Sequence, residues 1–590
     1  MDRQKTVQIQ DGFAVTCSNI ISGVITFFIF LIVTVFPLIY DNSYFNILET
    51  KYKCYYLCIL GMLGVSLVLA LVMLVVDVKE FQGEHTKELF AGLLPKNWKK
   101  TFTVPDAALA VFWIICLIST FQSDYFYESF WGNEGRYTGL FLLTLYTVSY
   151  FLISRCWKVN GWMLELFLVS GMVMCVIGIT DYFQLDILDF RGNIKPEQST
   201  TFTSTVGNIN TYTAYVAMIM GYASTMFATT GKLWKMVWYY LCMAVSFMAI
   251  IMGCSDNAYL ALGILFAFLP FILFWSRRGI VRYLVILATF FTVIQAVDWI
   301  NQTYADMVIG LDSLFRILAG FGSLPKVVAV LWLAALAAWL ALERKKAPVS
   351  RSLGTDSHGS LSSGNAVSGS DQSDPDSPVY SRTQADMIWS SSMDPGERRM
   401  GKCLVTAWSV LIAAGVALVC FMLFDANAAG NGSRYGSLGS YLVFNDTWGT
   451  FRGYIWKKSI ELYQEFPMIH KIFGYGPDTF GILTTDAIRR DMVNATGQIF
   501  DNAHNEYLNL LLTIGPVGTL AYMIFVFGCV LGMVRRKNLM KHPCVAGCCL
   551  AAACYSAQAL VNLNIPIAAP ILWLMLSTGA AVCRPRQGEN

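Results

Sequence analysis

Charged residues are scarce in this 590-residue sequence. Only 14% of its residues are charged, while 55% are hydrophobic. Soluble domains carry about a quarter of charged residues, so this composition excludes an ordinary soluble protein. No basic stretch is interleaved with aromatic residues, and the net charge of +3 is too small to indicate a polyanionic ligand. We therefore expect no nucleic-acid partner.

Cysteine is absent from the stretch that carries most of the polar motifs. None of the 16 cysteines lies between Phe424 and Gly528, and most of them fall in or beside apolar segments. A disulfide framework is not expected, and these thiols are predicted to pack as small apolar side chains. Cys544, Cys548 and Cys549 are close in sequence but have no suitable neighbouring ligands. The sequence therefore predicts neither a metal site nor a cofactor.

Long apolar runs dominate the chain instead. Each of fourteen runs is about as long as the ~20 residues that a transmembrane helix needs. The first run is too long for the apolar region of a cleavable signal peptide. The fold class predicted is an all-α polytopic membrane protein with about 14 transmembrane helices. The runs cover residues 20–40, 55–77, 105–121, 137–154, 162–180, 209–229, 233–253, 257–275, 280–298, 325–342, 403–424, 507–534, 543–561 and 566–583.

The positive residues indicate the orientation of these spans. With the amino terminus in the cytoplasm, the cytoplasmic segments carry 28 of the 42 lysine and arginine residues. This bias follows the positive-inside rule. We therefore expect a multi-pass protein of the cell membrane with both termini in the cytoplasm.

Two long connections divide the chain into five parts. Residues 343–402 are rich in Ser, Gly, Asp and Pro and are predicted to be a disordered cytoplasmic loop. The other connection, residues 425–506, has periodic apolar residues and is predicted to be a folded, mostly helical extracytoplasmic loop. The remaining parts are an N-terminal transmembrane bundle, a single transmembrane helix and the C-terminal transmembrane helices, at residues 1–342, 403–424 and 507–590.

An amphipathic helix is predicted within the extracytoplasmic loop, over residues 450–463. Apolar residues recur at helical spacing, and Arg452 lies near the start of the same face. An arginine in a first turn opposes the helix dipole, so helix stability does not require it. Together with the free amides of a helix start it suits a phosphate group. The alternative is an exposed arginine that reaches the lipid headgroups.

His504 lies in a polar stretch, residues 501–508, directly before a span. Ionisable residues at membrane depth are costly and frequently functional. Histidine has a reference pKa of about 6.5, so it suits a general base. The alternative is a helix cap, with Asp501 or Asn502 capping and His504 merely at the interface. His470, the other histidine of this loop, has no span beside it and is the weaker candidate.

The order of these motifs resembles the O-antigen ligase and polymerase family of membrane glycosyltransferases. Upstream segments extend the resemblance, which covers roughly residues 105–583. The segments that carry it are Arg136-Tyr137-Thr138-Gly139, Ser204 to Tyr212 with Gly207-Asn208-Ile209-Asn210, Ser255-Asp256-Asn257, Arg452 with Trp456, Phe473-Gly474-Tyr475-Gly476, and His504 to Leu508.

The resemblance implies transfer of a glycan from a polyprenyl (undecaprenyl) diphosphate carrier to a hydroxyl of a glycan, lipid or protein acceptor. It implies that this happens at the outer face, without a metal, in cell-surface polysaccharide biosynthesis. By resemblance, His504 is the catalytic histidine and Arg452 binds the diphosphate. Ligases usually carry a second arginine where this chain has Asp256, and Arg136 or Arg191 would then supply the missing charge.

Four further polar residues are candidates for substrate binding. Asn208, Asn210, Asp256 and Asn257 lie at the mouths of spans, where they either orient sugar hydroxyls or cap helices.

Other functions remain open at this point. A transporter or lipid flippase usually has internal repeats and polar residues within its spans. This chain shows no such repeat, and its spans are nearly free of charge. A peptidoglycan-type polymerase does not share the spacing of the Arg452 and His504 motifs. Within the favoured family, the sequence does not separate a ligase from a polymerase.

Overall fold

The computed structural model describes residues 2–192, 194–346, 395–535, 539 and 542–584. Most of the predicted disordered loop, residues 347–394, lies outside this part of the chain. The division into five parts therefore stays a prediction.

Nearly all regular structure in the described residues is α-helical. In the first part of the chain the helices are α1 (Asp2–Leu38), α2 (Ile47–Phe81), α3 (Glu84–Leu93), α4 (Trp98–Thr101), α5 (Val104–Phe121), α6 (Phe126–Trp131), α7 (Leu140–Cys156), α8 (Gly161–Tyr182), α9 (Ile209–Thr229), α10 (Leu233–Met252), α11 (Asn257–Leu273), α12 (Arg277–Thr303), α13 (Ser313–Ala319) and α14 (Leu324–Lys346). They are followed by α15 (Pro395–Asn427), α16 (Gly439–Leu442), α17 (Trp448–Glu465), α18 (Met468–Phe473), α19 (Phe480–Thr496), α20 (Glu506–Val534), α21 (Pro543–Gln558) and α22 (Ala569–Cys583).

Short 3₁₀ and strand elements complete the fold. The 3₁₀ helices cover Pro95–Asn97, Pro196–Thr201, Ala305–Met307 and Gly432–Leu438. Two strands, β1 (Phe202–Thr203) and β2 (Gly207–Asn208), pair antiparallel with Phe202 opposite Asn208. This small hairpin leads directly into α9 and fixes where that helix begins.

Each of the fourteen predicted spans corresponds to a helix. Nine helices of the described chain are long and apolar enough to cross a membrane, and α7, α11, α21 and α22 are shorter apolar helices. The fourteenth is α9, which is buried along almost its whole length. The all-α polytopic fold class is therefore confirmed.

The centre of the bundle is formed by α9 and the C-terminal helices. α9 packs against α10, α11 and α21. Gly221 of α9 lies so close to Leu550 and Ala551 of α21 that an added Cβ would be 3.0 Å from their backbone. Large aromatic side chains fill the neighbouring space, where Trp573 stacks on Tyr146 at 5.1 Å between ring centroids.

Residues 428–505 form a compact unit on one end of the bundle. Its helices α17 and α19 enclose a small apolar core, to which Leu512 of α20 also contributes. The folded, mostly helical character predicted for this loop is thereby confirmed. The core residues are Tyr454, Ile455, Phe466, Phe480, Leu483, Met492, Phe500, Ala503 and Leu512.

A break in α20 attaches this unit to the bundle. Pro516 has no N–H, so it cannot bond to the Leu512 carbonyl as a regular helix would require. The Tyr475 N–H donates to the Leu512 carbonyl at 3.2 Å instead, and the Gly476 N–H donates to the Thr513 carbonyl at 2.8 Å. The glycine-rich turn that contains Gly474 and Gly476 thus satisfies backbone groups that the break leaves free.

Candidate functional site

A cavity of about 320 Å³ lies where the loop unit meets the mouths of α9 and α11. It contains five of the eight residues predicted for the site. The 3₁₀ helix at 196–201 and the connection before α13 complete its wall. The lining residues are Thr201, Asn208, Ile209, Asn210, Cys254, Ser255, Asp256, Asp312, Thr450, Arg452, Gln498, Phe500 and His504.

Arg452 enters the cavity from the beginning of α17. Gly449, Thr450 and Phe451 have left-handed backbone conformations, with φ of 59°, 60° and 67°, so the regular helix starts only at Arg452. Non-glycine residues in this region are strained, and such strain clusters at functional sites. The sequence places the helix correctly but does not reveal this strained start.

The Arg452 guanidinium is buried and only partly satisfied. The side chain is 8% exposed, and its Nη1 donates to the Gly449 carbonyl at 2.9 Å. Its Nε is buried without a hydrogen-bond partner in the described chain. Burial lowers the pKa of Arg452, while the Asp256 carboxylate raises it. An unsatisfied buried cation facing a cavity suits an anionic ligand.

His504 lies in the loop before α20, and its backbone N–H is hydrogen-bonded to a side chain of the same loop. Its φ is 46°, and its N–H donates to Asn502 Oδ1 at 2.8 Å. The ring packs edge-on against Phe500 at 5.7 Å between ring centroids. The neighbouring Ala503 carbonyl accepts a hydrogen bond from Trp456 Nε1 at 2.8 Å. This last bond ties the helix of Arg452 to the loop of His504.

The imidazole of His504 is neutral at physiological pH. Burial lowers its pKa to about 3, with Arg452 and Arg136 acting in the same direction and Asp501 opposing them. Nδ1 is buried without a hydrogen-bond partner among the residues that the structure describes. The acidic neighbour Asp501 therefore has a smaller effect on this pKa than burial and the two arginines.

The helix cap before α20 differs from the sequence-based alternative. Asn505 caps α20, because its Oδ1 accepts from the Leu508 N–H at 3.0 Å. The prediction that Asp501 or Asn502 takes this role is wrong. Asn502 instead fixes the backbone of His504, and Asp501 turns towards Arg136.

Two carboxyl groups also line the cavity. Asp312 Oδ2 accepts from the Tyr259 hydroxyl at 2.6 Å, and Asp256 Oδ1 accepts from the Tyr441 hydroxyl at 3.3 Å. Burial and the neighbouring Asp312 raise the pKa of Asp256 to about 6. Asp312 was missed from the sequence, because it lies in a short connection without a motif, and only the packing of α11 against α12 and α13 brings it here.

The asparagines differ in their roles. The Asn208 side chain caps α9 by accepting from the Asn210 N–H at 2.8 Å, as the helix-capping alternative predicted. Asn208 also lines the cavity. Asn210 Oδ1 accepts from the Ser255 hydroxyl at 2.7 Å, and its carbonyl accepts from Asn562 Nδ2 at 3.0 Å. Asn257 is fully buried, and it is not among the lining residues of the cavity.

Neither candidate for the second arginine lines the cavity. Arg136 forms a two-pronged ion pair with Asp501, at 2.8 Å from Nε and 2.7 Å from Nη2. It borders a smaller adjoining cavity of about 50 Å³ beside Glu506 and Asn502. Arg191 is oriented towards the Phe202 carbonyl at 3.5 Å. Arg136 is therefore connected to the loop of His504 through Asp501, and the position of Arg191 lends no support to its predicted role.

Residues that would hold a metal do not cluster in the described part of the chain. No group of three or more His, Cys, Asp or Glu side chains there has a metal-binding arrangement. The expectation of a metal-independent site stays a prediction.

Comparison with known proteins supports the resemblance noted in the sequence. Residues 393–523 match the family model described as O-antigen ligase. The match spans the loop unit with both Arg452 and His504, so the predicted resemblance is confirmed for this part of the chain. A search of curated proteins gave no match.

Proposed function

We propose that this chain, whose residues 393–523 match the O-antigen ligase family model, transfers a glycan from a polyprenyl diphosphate carrier to an acceptor hydroxyl. One observation carries the proposal. Within the part of the chain that the structure describes, a buried guanidinium with an unpartnered Nε and a neutral imidazole with an unpartnered Nδ1 share one cavity. These are the two groups that the reaction needs, one for the leaving diphosphate and one for the acceptor proton.

Arg452 is proposed to bind the diphosphate. A planar guanidinium matches phosphate oxygens and keeps its charge at every working pH. Its Nε has no hydrogen-bond partner within the described chain, and an unsatisfied buried donor costs about 1–3 kcal/mol. A phosphate oxygen at this position would remove that cost. As the glycosidic bond breaks, negative charge grows on the diphosphate, so the same contact stabilises the transition state.

His504 is proposed to be the general base. The acceptor oxygen attacks the anomeric carbon, the bond from that carbon to the diphosphate oxygen breaks, and the hydroxyl proton passes to the imidazole. The pKa of His504 is lowered to about 3 in the free protein, which keeps the ring neutral but makes it a weak base. A bound diphosphate adds negative charge to the cavity and so raises this pKa towards the operating pH.

The remaining polar wall is proposed to hold the sugars. Asp256, Asp312 and Asn210 face the same cavity and present carboxyl and amide groups to a sugar hydroxyl. Arg136 is proposed as a positioning residue, because it holds Asp501 in the loop of His504.

The orientation in the membrane completes the proposal. We infer that the loop unit is extracytoplasmic and that both termini are cytoplasmic, as the positive-inside count of the sequence supports. The carrier would then be used at the outer face, and no metal is assigned to the reaction.

The test is a transfer assay with the full-length protein in liposomes that contain a lipid-linked glycan. Arg452→Ala and His504→Ala are each expected to lower transfer by at least 10²-fold, because general-base catalysis alone contributes ~10²–10⁴-fold. Arg490→Ala is the matched control, since this arginine of α19 is exposed. Transfer at the wild-type rate by either cavity variant would contradict the assignment. Movement of the labelled carrier without acceptor would indicate a flippase instead.

A further inference from the structure

A second large groove lies at the other end of α9, roughly 30 Å from the candidate site at 1.5 Å per residue. It has a volume of about 720 Å³ and lies between the α9–α10 turn, α12 and α14. Its lining is largely apolar, with a cationic end. The lining residues are Phe227, Thr230, Gly231, Met236, Val237, Tyr240, Arg278, Val281, Arg282, Val285, Trp332, Ala335, Leu336, Trp339 and Leu342.

Two arginines form the cationic end. Arg278 and Arg282 are four residues apart on α12, so they lie on one face, where like charges repel. Among the described residues, no Asp or Glu forms an ion pair with either. The Arg282 guanidinium lies over the Phe227 ring at 5.0 Å from its centroid. Arg278 also lies in the first turn of α12, where a cation opposes the helix dipole.

Apolar side chains of α14 also line the groove. They are Trp332, Leu336 and Trp339, and Val285 of α12 lines the groove with them. Trp339 is 48% exposed although it lies on a helix that is apolar enough to cross a membrane. Tryptophan is enriched where a membrane meets water, and basic pockets between transmembrane helices bind anionic headgroups. The groove therefore combines a site for one negative charge with room for hydrocarbon.

We propose that this groove binds an anionic phospholipid. The phosphate lies between Arg278 and Arg282, and the acyl chains run along α12 and α14. The two arginines favour a ligand with an anionic headgroup. The apolar lining with its tryptophans favours a ligand that also carries hydrocarbon chains, which a small phosphate ion lacks. By the orientation inferred above, the lipid belongs to the cytoplasmic leaflet. The site is separate from glycan transfer and does not depend on that function.

Lipid binding to the purified, delipidated full-length protein tests this proposal. Native mass spectrometry would count bound phosphatidylglycerol and phosphatidylcholine, and a thermal-shift titration would give their affinities. The wild-type protein is expected to retain phosphatidylglycerol in preference to phosphatidylcholine. The double variant Arg278→Gln, Arg282→Gln is expected to bind it roughly 25-fold more weakly, at ~1 kcal/mol for each cation.

Arg277→Gln is the matched control, because Arg277 neighbours these residues but does not line the groove. Val281→Trp fills the groove without changing its charge and is expected to release the lipid. This variant tests the proposal if the double variant fails to fold. Equal retention of both lipids overturns the proposal, as does an equal loss in Arg277→Gln. Inorganic phosphate that stabilises the protein as much as the lipid does would also overturn it.

Discussion

Two titratable groups that line the cavity, His504 and Asp256, have pKa values shifted in opposite directions. Burial and two arginines hold the pKa of His504 down at about 3. Burial and Asp312 raise the pKa of Asp256 to about 6. At pH 7 the imidazole is therefore neutral and Asp256 is largely ionised. Between pH 5 and 8, the group of this pair that changes charge in the free protein is Asp256.

This difference predicts the pH dependence of donor binding. As the pH falls through 6, Asp256 takes up a proton and its negative charge beside Arg452 disappears, so a diphosphate binds more tightly. The KM for the donor is expected to fall by roughly tenfold for each unit by which donor binding raises the Asp256 pKa. Steady-state kinetics from pH 5 to 8 would measure this change.

Asp256→Asn is the control, and its KM is expected to stay constant over the same range. The profile of kcat/KM reports groups of the free enzyme. A loss of kcat/KM in Asp256→Asn with a midpoint near pH 6.5 would show that His504 has an ordinary pKa, which would contradict the environment described here.

At the scale of elements, the break in α20 links the membrane helix to the loop unit. Gly515 has a φ of 71°, and a Cβ at this position would lie 2.0 Å from the Ile472 carbonyl oxygen. Gly515→Ala is therefore expected to displace α18 from α20 and to destabilise the protein by more than the roughly 1–2 kcal/mol of left-handed strain. The unfolding temperature and the rate of glycan transfer would both be measured, and both are expected to be lower than in the wild type.

Gly263→Ala provides the comparison, since a Cβ there meets no atom within 4 Å. It is expected to leave the unfolding temperature and transfer near wild-type values. If Gly515→Ala behaved in the same way, the close contact between the turn and α20 would not position the loop unit.

The elements themselves were largely predictable, while the details of the site were not. Apolar length predicted a helix at each of the fourteen runs, because a bilayer imposes a minimum length on a spanning helix; nine helices of the described chain are long and apolar enough to cross a membrane. The position of Asp312 depends on contacts between distant segments, such as its hydrogen bond with Tyr259. The cap by Asn505 is local, but several neighbouring polar residues could equally have taken that role. Arg452 and His504 were predictable as residue types at helix starts, but their burial, which sets both pKa values, is a property of the assembled cavity.

On the scale of the whole molecule, one connection joins the transmembrane bundle to the loop unit beside the cavity. Residues 122–138, between α5 and α7, contact the loop unit at several points. The Asn133 N–H donates to Asp478 Oδ2 at 2.7 Å, and Gln122 Nε2 donates to the Gly474 carbonyl at 2.5 Å. Arg136 adds its ion pair with Asp501. The bundle thereby fixes both the turn on α20 and the loop that holds His504.

The Arg136–Asp501 pair allows a test of whether Arg136 positions the loop or binds the donor directly. Both side chains are partly exposed, so their contribution to stability is small, at most about 1 kcal/mol. If Arg136 acts through Asp501, then Arg136→Gln and Asp501→Asn lower kcat by similar factors. The double variant is then no worse than either single variant, because the second substitution has no interaction left to remove.

Direct binding of the diphosphate by Arg136 gives a different pattern. Arg136→Gln would then raise the KM for the donor while Asp501→Asn would not, and the effects of the two substitutions would add. Measuring kcat and KM for the wild type, both single variants and the double variant separates these outcomes. We expect coupled losses in kcat, because the Arg136 guanidinium is already engaged by both carboxylate oxygens of Asp501.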